Sequence, residues 1–302
     1  MVGRVIRKEG TIVEKKKIFI LAVVMIMVLS MFAACGNSGS GSKDDSEEVV
    51  DDSLTKIQEK GKLVLGCDDQ FPPMGFDDNG TLVGFDIDLA KAVASKMGVE
   101  LEAKAIDWSA KEMELESGNI DVIWNGYTIT AERIEKVQFT RPYLNNAQML
   151  VVKADSDVNS IADLAGKTIG FQIDSAASDI YDENTDINSI AAGTQEYDTF
   201  QQALLDLKAA DRIQAVIVDK VLIEYAMQQE PGTFRIIESL GTEFFGIGCP
   251  KGAVALADAI DDALDELYDE GTVDEISGRW FESNIVIRDV ARLTAEDFAS
   301  AK

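Results

Sequence analysis

A chain of 302 residues is long enough for two domains with their own cores, and 46% apolar against 27% charged residues is the balance of a globular protein. The formal charge of −26 excludes a nucleic-acid backbone as the main partner, because such a surface repels phosphate. There is no histidine, which excludes an imidazole base and a His-ligated metal, and no cofactor is expected.

The N-terminus differs from the rest. Residues 1–34 carry six Lys or Arg against two Glu, so the excess of acid lies entirely beyond them. Lys15, Lys16 and Lys17 precede an apolar run, Ile18–Phe32, and AAC follows at 33–35. The run has the length of a signal-peptide core and falls short of the about 20 residues of a membrane span. Small residues directly before a cysteine resemble the lipobox of bacterial lipoproteins, in which the thiol takes diacylglycerol and becomes the new N-terminus. Phe32 stands where leucine is usual. Residues 1–34 are therefore read as a lipoprotein signal peptide and Cys35 as the lipidation site, with a retained membrane anchor as the alternative. Residues 35–53 are small, polar, acidic and aperiodic, the composition of a flexible tether.

From Lys62 strand and helix alternate. Leu63–Leu65 is a short apolar strand. Asp86 is placed to cap a helix with Ile87, Ala90, Val93, Ala94 and Met97 on one face, stopped by Gly98. Leu101, Ala103 and Ala105 alternate as a strand, and SAKE at 109–112 spells a capping box for a helix ending near Gly118. Val122–Trp124 is the third strand. This order predicts a mainly parallel sheet covered by helices. The pattern then restarts. Ile161–Leu164 leads into a strand at Thr168–Phe171, and a helix begins near Ser175. Helices follow at Phe200–Leu207 and Leu222–Gln228, with strands at Ala215–Val218, Phe234–Ile237 and Phe244–Cys249. An amphipathic helix closes the series with Leu256, Ile260, Ala263, Leu264 and Leu267 on one face. In such sheets ligands bind beyond the carboxyl ends of strands, which is where Asn125–Arg133 falls.

Five segments stand in order and at familiar spacing: GCDDQFPPMGF (66–76), GFDIDLAKAVASKMGVE (84–100), IDWSAKEMELESGNIDVIWNGYTITAERIEKVQFTRPYL (106–144), LLDLKAADRIQAVIVD (204–219) and GIGCPKG (246–252). Together they resemble the family 3 extracellular solute-binding proteins of amino-acid ABC importers, over about Leu54–Phe281. The resemblance implies a two-lobed type II periplasmic-binding fold of the α/β class, each lobe a mainly parallel sheet flanked by helices. Lobe 1 would comprise 54–147 plus 243–286, lobe 2 151–239, and a C-terminal tail 287–302. The chain would cross between lobes near Gln148–Val151 and Leu240–Thr242. The implied partners are a free L-amino acid, the permease and ATPase subunits of an importer, and the outer face of the cell membrane through the lipid.

A free amino acid is a zwitterion, so its site needs one fixed cation and one fixed anion. Arg133 suits the first role, because its planar fork binds a carboxylate bidentately. In the resembled family the arginine of this T-x-T-x-x-R pattern does so. Thr128 matches a hydroxyl that touches the ligand, and Asn125 and Gly126 match strand-end contacts. Asp219 closes the strand AVIVD, where an unpartnered acid would be costly. The family uses it to accept the ligand ammonium, and a helix N-cap has the same spelling. Gln172 and Ser175 match the lobe 2 turn whose N–H groups meet the carboxylate. Asp174 stands where glycine is usual and is read as a helix cap. Phe71 and Trp108 match the aromatics that sandwich the ligand side chain, and Trp124 is buried or borders the pocket. Asp68, followed by Asp69, falls at the side-chain end. An acid there suits a polar ligand, and glutamine, a basic amino acid and cystine stay open. Binding without chemistry is the leading reading. A periplasmic dehydratase on the same fold and a receptor sensory domain are the alternatives. Cys67 and Cys249, both on expected lobe 1 strands, are either bridged or buried thiols.

Overall fold

The computed structural model describes residues 51–209, 212–281 and 284–299; the signal segment, Cys35 and most of the tether lie outside the described residues. In chain order the first lobe runs α1 (Ser53–Lys60), β1 (Lys62–Cys67), β2 (Gln70–Phe71), β3 (Gly75–Asp78), β4 (Thr81–Val83), α2 (Phe85–Lys96), β5 (Glu100–Ala105), α3 (Lys111–Glu116), β6 (Val122–Ile123), α4 (Ala131–Lys136) and β7 (Val137–Phe139). A long strand, β8 (Leu144–Lys153), leads to β9 (Thr168–Gln172), α5 (Ala176–Glu183), α6 (Thr185–Asn188), β10 (Gly193–Tyr197), α7 (Phe200–Ala209), β11 (Ala215–Asp219) and α8 (Lys220–Gln229). A second long strand, β12 (Phe234–Phe245), returns to β13 (Gly248–Pro250), α9 (Val254–Asp269), α10 (Thr272–Trp280) and α11 (Ala295–Ala299). No helix among the described residues is long and apolar enough to cross a membrane.

Two five-stranded sheets result, ordered β5-β1-β6-β13-β7 and β10-β9-β11-β8-β12. In each, four strands point one way and one, β13 or β8, runs against them. Parallel neighbours need helical crossovers that cover both faces, so their strands read as apolar runs. Thus β11 is buried at every residue and β1 at all but its first. The stripe expected on α9 is buried as its spacing predicts.

Two capping expectations are corrected. Helix α2 starts at Phe85 behind Gly84, and Asp86 is a fully buried first-turn residue whose carboxyl turns to the strand ends instead. SAKE forms no capping box. Residues 108–110 make a 3-10 turn, α3 starts at Lys111 without a side-chain cap, and Glu112 accepts a hydrogen bond from the Tyr127 hydroxyl at 2.9 Å.

The segments expected as crossings lie inside β8 and β12. These strands pair antiparallel from Leu144 opposite Phe245 to Lys153 opposite Phe234, with irregularities between Ile236 and Glu238 and between Ser239 and Gly241. Cys67 and Cys249 are free, buried thiols. The reason is topological: β6 lies between β1 and β13, so the two cysteine strands are separated by about 9–10 Å, beyond the reach of a disulfide. Burial pushes the Cys67 thiol up to about 12 and raises Cys249 as well. Both are expected to resist a maleimide in the native state and to react in denaturant without reductant. Loss of either thiol signal in denaturant would contradict this.

Residues 284–299 return across the first lobe. Ile287 N–H donates to Tyr143 O at 3.0 Å, Arg292 pairs with Asp258 and Asp261 on α9 at 2.8 and 2.7 Å, and Leu293 and Phe298 pack on the cluster around Ile129 and Val137.

Candidate ligand site between the lobes

The first wall is built by the end of β6. After Val122 and Ile123 the chain turns at Asn125 and Gly126. Gly126 has φ +59°, and a Cβ there would stand 2.9 Å from Phe71 and 3.1 Å from Phe245, so glycine is required on both counts. Its N–H donates to Asp86 Oδ2 at 2.8 Å, and the Tyr143 hydroxyl donates to Asp86 Oδ1 at 2.8 Å. Burial pushes the Asp86 carboxyl up to about 7. Asn125 Oδ1 accepts from Asp68 N–H at 3.1 Å, which fixes the end of β1 beside the same turn.

Arg133 lies in the first turn of α4, where Thr130 caps the helix by accepting Arg133 N–H at 3.1 Å. The residue is 6% exposed, so it is not a solvated surface arginine. Nη1 donates to Thr128 O at 3.0 Å, Nη2 to Asp174 O at 3.3 Å, and the group lies 4.9 Å over the Tyr127 ring. The Asp179 carboxylate of α5 stands 3.9 Å away.

The opposite wall comes from the second sheet. Gln172 ends β9, and its Nε2 donates to Asp68 Oδ2 at 2.7 Å and to Asp198 O at 2.9 Å. Asp174 adopts φ +53°, which explains why glycine suits that position. It does not cap α5. Ser175 holds the N-cap position, makes no side-chain cap and donates its hydroxyl to Gln172 O at 2.7 Å, so the first N–H groups of α5 keep no capping partner. Asp219 occupies the N-cap position of α8 without capping it; its Oδ1 accepts from Asn146 at 2.7 Å and Gln148 at 2.9 Å.

All ten residues singled out in the sequence line one cleft: Asp68, Phe71, Trp108, Asn125, Gly126, Thr128, Arg133, Gln172, Ser175 and Asp219. Ala176 and Phe200 complete the lining, with the Phe71 and Phe200 rings 5.9 Å apart across it. Trp124 is fully buried and is not among these residues. The walls also meet directly, through Gln172 on Asp68 and through Lys111, whose Nζ donates to Asp174 O at 3.0 Å beside Arg133. Burial, then the Arg133 charge, lowers Lys111 to about 8. Burial likewise raises Asp68 to about 6, against the Gln172 hydrogen bond that lowers it.

Sequence reasoning missed Lys111, Phe200, Asn146, Gln148 and Glu243, whose Oε1 accepts from Asn146 at 2.5 Å and from Gln148 at 2.9 Å. The alternation of Asn146 and Gln148 inside apolar β8 was a usable signal, because two buried amides on one strand face need partners.

Residues 63–283 match the sequence profile of the bacterial extracellular solute-binding proteins, family 3. The chain belongs to that family. The family 3 fold implied by the sequence motifs is thus the fold observed, and residues 284–299 extend beyond the family profile. Among family 3 relatives, the chain is 29% identical to the arginine-binding extracellular protein ArtP of Bacillus subtilis, over 88% of this chain and 98% of that protein. It is 30% identical to the L-cystine-binding protein TcyJ of Escherichia coli, over 87% and 96%. The structure of a substrate-binding protein of an ABC uptake transporter from Streptococcus pneumoniae, with bound histidine, matches with a TM-score of 0.76 at 38% identity, over 78% of this chain and 99% of that one. All three carry the name of a binding protein.

Proposed function

We propose that the chain is the substrate-binding component of an amino-acid ABC importer. It takes a free L-amino acid into the cleft between lobe 1 (54–147 plus 243–286) and lobe 2 (151–239) and delivers it to a membrane permease and its ATPase. A lipid on Cys35 and the acidic tether hold it at the outer face of the membrane, and the lobes close by bending β8 and β12. One observation carries this reading: a buried arginine and a buried aspartate on opposite walls of one cleft are the complement of a zwitterion. The arginine-, cystine- and histidine-binding relatives favour a polar ligand. A ligand that touches both walls stabilises the closed form by differential contact.

The test is a thermal-shift screen of the purified protein with each proteinogenic amino acid and cystine, followed by calorimetry. At least one polar amino acid should raise the melting temperature; no shift with any of them would refute the reading. Mass spectrometry of the membrane-extracted protein should show a diacylglyceryl group on Cys35, and an intact signal segment would refute the anchor.

Asp68 sets the ligand class in this proposal. Asp68→Asn is expected to weaken an amino acid with a cationic side chain by about ten- to a hundredfold, and to change glutamine by far less. Equal losses for both would remove Asp68 from the side-chain end. Affinity for a basic ligand should also fall as the pH drops below about 6, where the Asp68 carboxylate takes up its proton.

A further inference from the structure

Asp219 does not stand alone. Glu243, on β12, shares its hydrogen-bond donors, so the two carboxyl groups are held side by side. Two amides clamp the pair. Asn146 Nδ2 lies 2.7 Å from Asp219 Oδ1 and 2.5 Å from Glu243 Oε1, and Gln148 Nε2 lies 2.9 Å from each of the same two oxygens. Strand register brings the four together: Asp219 is opposite Gln148, and Glu243 is opposite Asn146, so the cluster spans β11, β8 and β12. Two ionised carboxylates held on the same amide donors repel each other, and one proton on the pair removes that repulsion. Burial and the neighbouring Glu243 charge hold Asp219 well above the usual carboxylate range, and burial raises Glu243 too. A charged group that acts on the pair from across the cleft is Arg133 on α4, which favours the ionised form of Glu243; Lys220, next in sequence to Asp219 on α8, is exposed.

We propose that Asp219 and Glu243 share a single proton and that the ammonium of an arriving amino acid displaces it, which makes Glu243 a positioning residue for ligand binding. This rests on the reading of Asp219 as the ammonium acceptor. The carboxyl O–H bond breaks, the proton passes to solvent at the part-exposed Glu243, and the fully ionised pair faces the ammonium while the two amides keep their hydrogen bonds. A unit positive charge about 4 Å away, in an effective dielectric of about 20, weakens the hold of the pair on its proton by about a thousandfold. The sign follows. Where the free pair keeps its proton and the complex does not, affinity rises by about tenfold per pH unit; above that range it levels off.

The test uses the purified protein with L-arginine, L-glutamine, L-histidine and L-cystine, titrated calorimetrically in phosphate and in Tris, buffers whose ionisation heats differ. For those that bind, wild type is expected to release protons on binding above about pH 6, the value near which Asp68 titrates. Glu243→Gln is expected to lose the release and the pH slope. Equal heats in the two buffers for wild type, or a release that persists in Glu243→Gln, would overturn the proposal. Carboxyl carbon NMR of the ligand-free protein gives a second arm. One resonance of the pair should titrate well above the ordinary carboxylate range and return toward it in Glu243→Gln; two ordinary titrations would also overturn the proposal. If none of the four amino acids binds, it is the importer reading that fails, while the NMR arm still decides the shared proton.

Discussion

Replacing Arg133 with alanine is expected to weaken the binding of every amino acid the protein takes, by about 30-fold to several thousand-fold. The guanidinium is buried, held in place from Thr128 and Asp174 and flanked by the Tyr127 ring. Removing it would leave a ligand carboxylate desolvated and unpaired, and truncating one partner of such a pair costs about 2–5 kcal/mol. The loss should be nearly the same for all ligands, because the main-chain carboxylate does not change from one amino acid to the next. That uniformity would separate Arg133 from Asp68, whose replacement is expected to reorder ligands. Arg133→Lys should recover only part of the affinity, since an ammonium keeps the charge and loses the fork. Calorimetry on the folded alanine variant decides it. Affinity within about threefold of wild type would confine Arg133 to joining α4 to the strand ends, a range set by the smallest effect that counts as an interaction.

The largest loss of stability is expected from Asp86→Ala. Its carboxyl is the acceptor for two buried donors, the Gly126 N–H and the Tyr143 hydroxyl. Stranding both costs about 2–6 kcal/mol, since each unsatisfied buried donor costs about 1–3 kcal/mol. The Asn125–Gly126 turn should loosen with it, so ligand affinity falls although Asp86 lines no part of the cleft. Denaturant unfolding measures the first effect and calorimetry the second. The pH dependence has a definite sign. Burial raises the folded carboxyl to about 7, above an unfolded value near 3.9. The folded state therefore binds more protons between those values. The contribution of Asp86 is fully present below about pH 4 and is lost as pH rises through about 7. Asp86→Asn, which cannot ionise, should flatten the decline in stability across that window. Identical pH profiles for wild type and Asp86→Asn would show that Asp86 is ionised throughout.

The parts of the fold that were legible in the sequence are those whose physics is local. Buried parallel strands are apolar runs, as in β1 and β11, and α9 carries its core face at helical spacing. The residues that line the cleft were legible for another reason: several motifs stand in register with a known family. What escaped depends on distant partners. Asp86 and Glu112 are spelled like helix caps, and only the folded chain reveals that their acceptors serve Gly126 and Tyr127. Strands β2, β3 and β4 are two to four residues long, below the length at which alternation is readable. Strand β12 was read as two pieces because its middle is exposed or half-buried on both faces and its register is interrupted twice. The pairing of Asp219 with Glu243 rests on register across three strands, which a single sequence does not encode at any one position.

Strands β8 and β12 are hydrogen-bonded to each other along their shared length, so neither can flex without carrying the other. If the proposed closure bends these strands, they bend as a pair, and an engineer could follow it as one coordinate. Met113 on α3 and Leu205 on α7 are exposed, one on each lobe, at 62% and 60%. Dyes attached at these two positions would read that coordinate as a ratio of two emission colours. The native thiols in the body would not compete for the dye, since both are buried and hold their protons. Such a pair of dyes would turn the proposed closure into an optical signal of ligand binding.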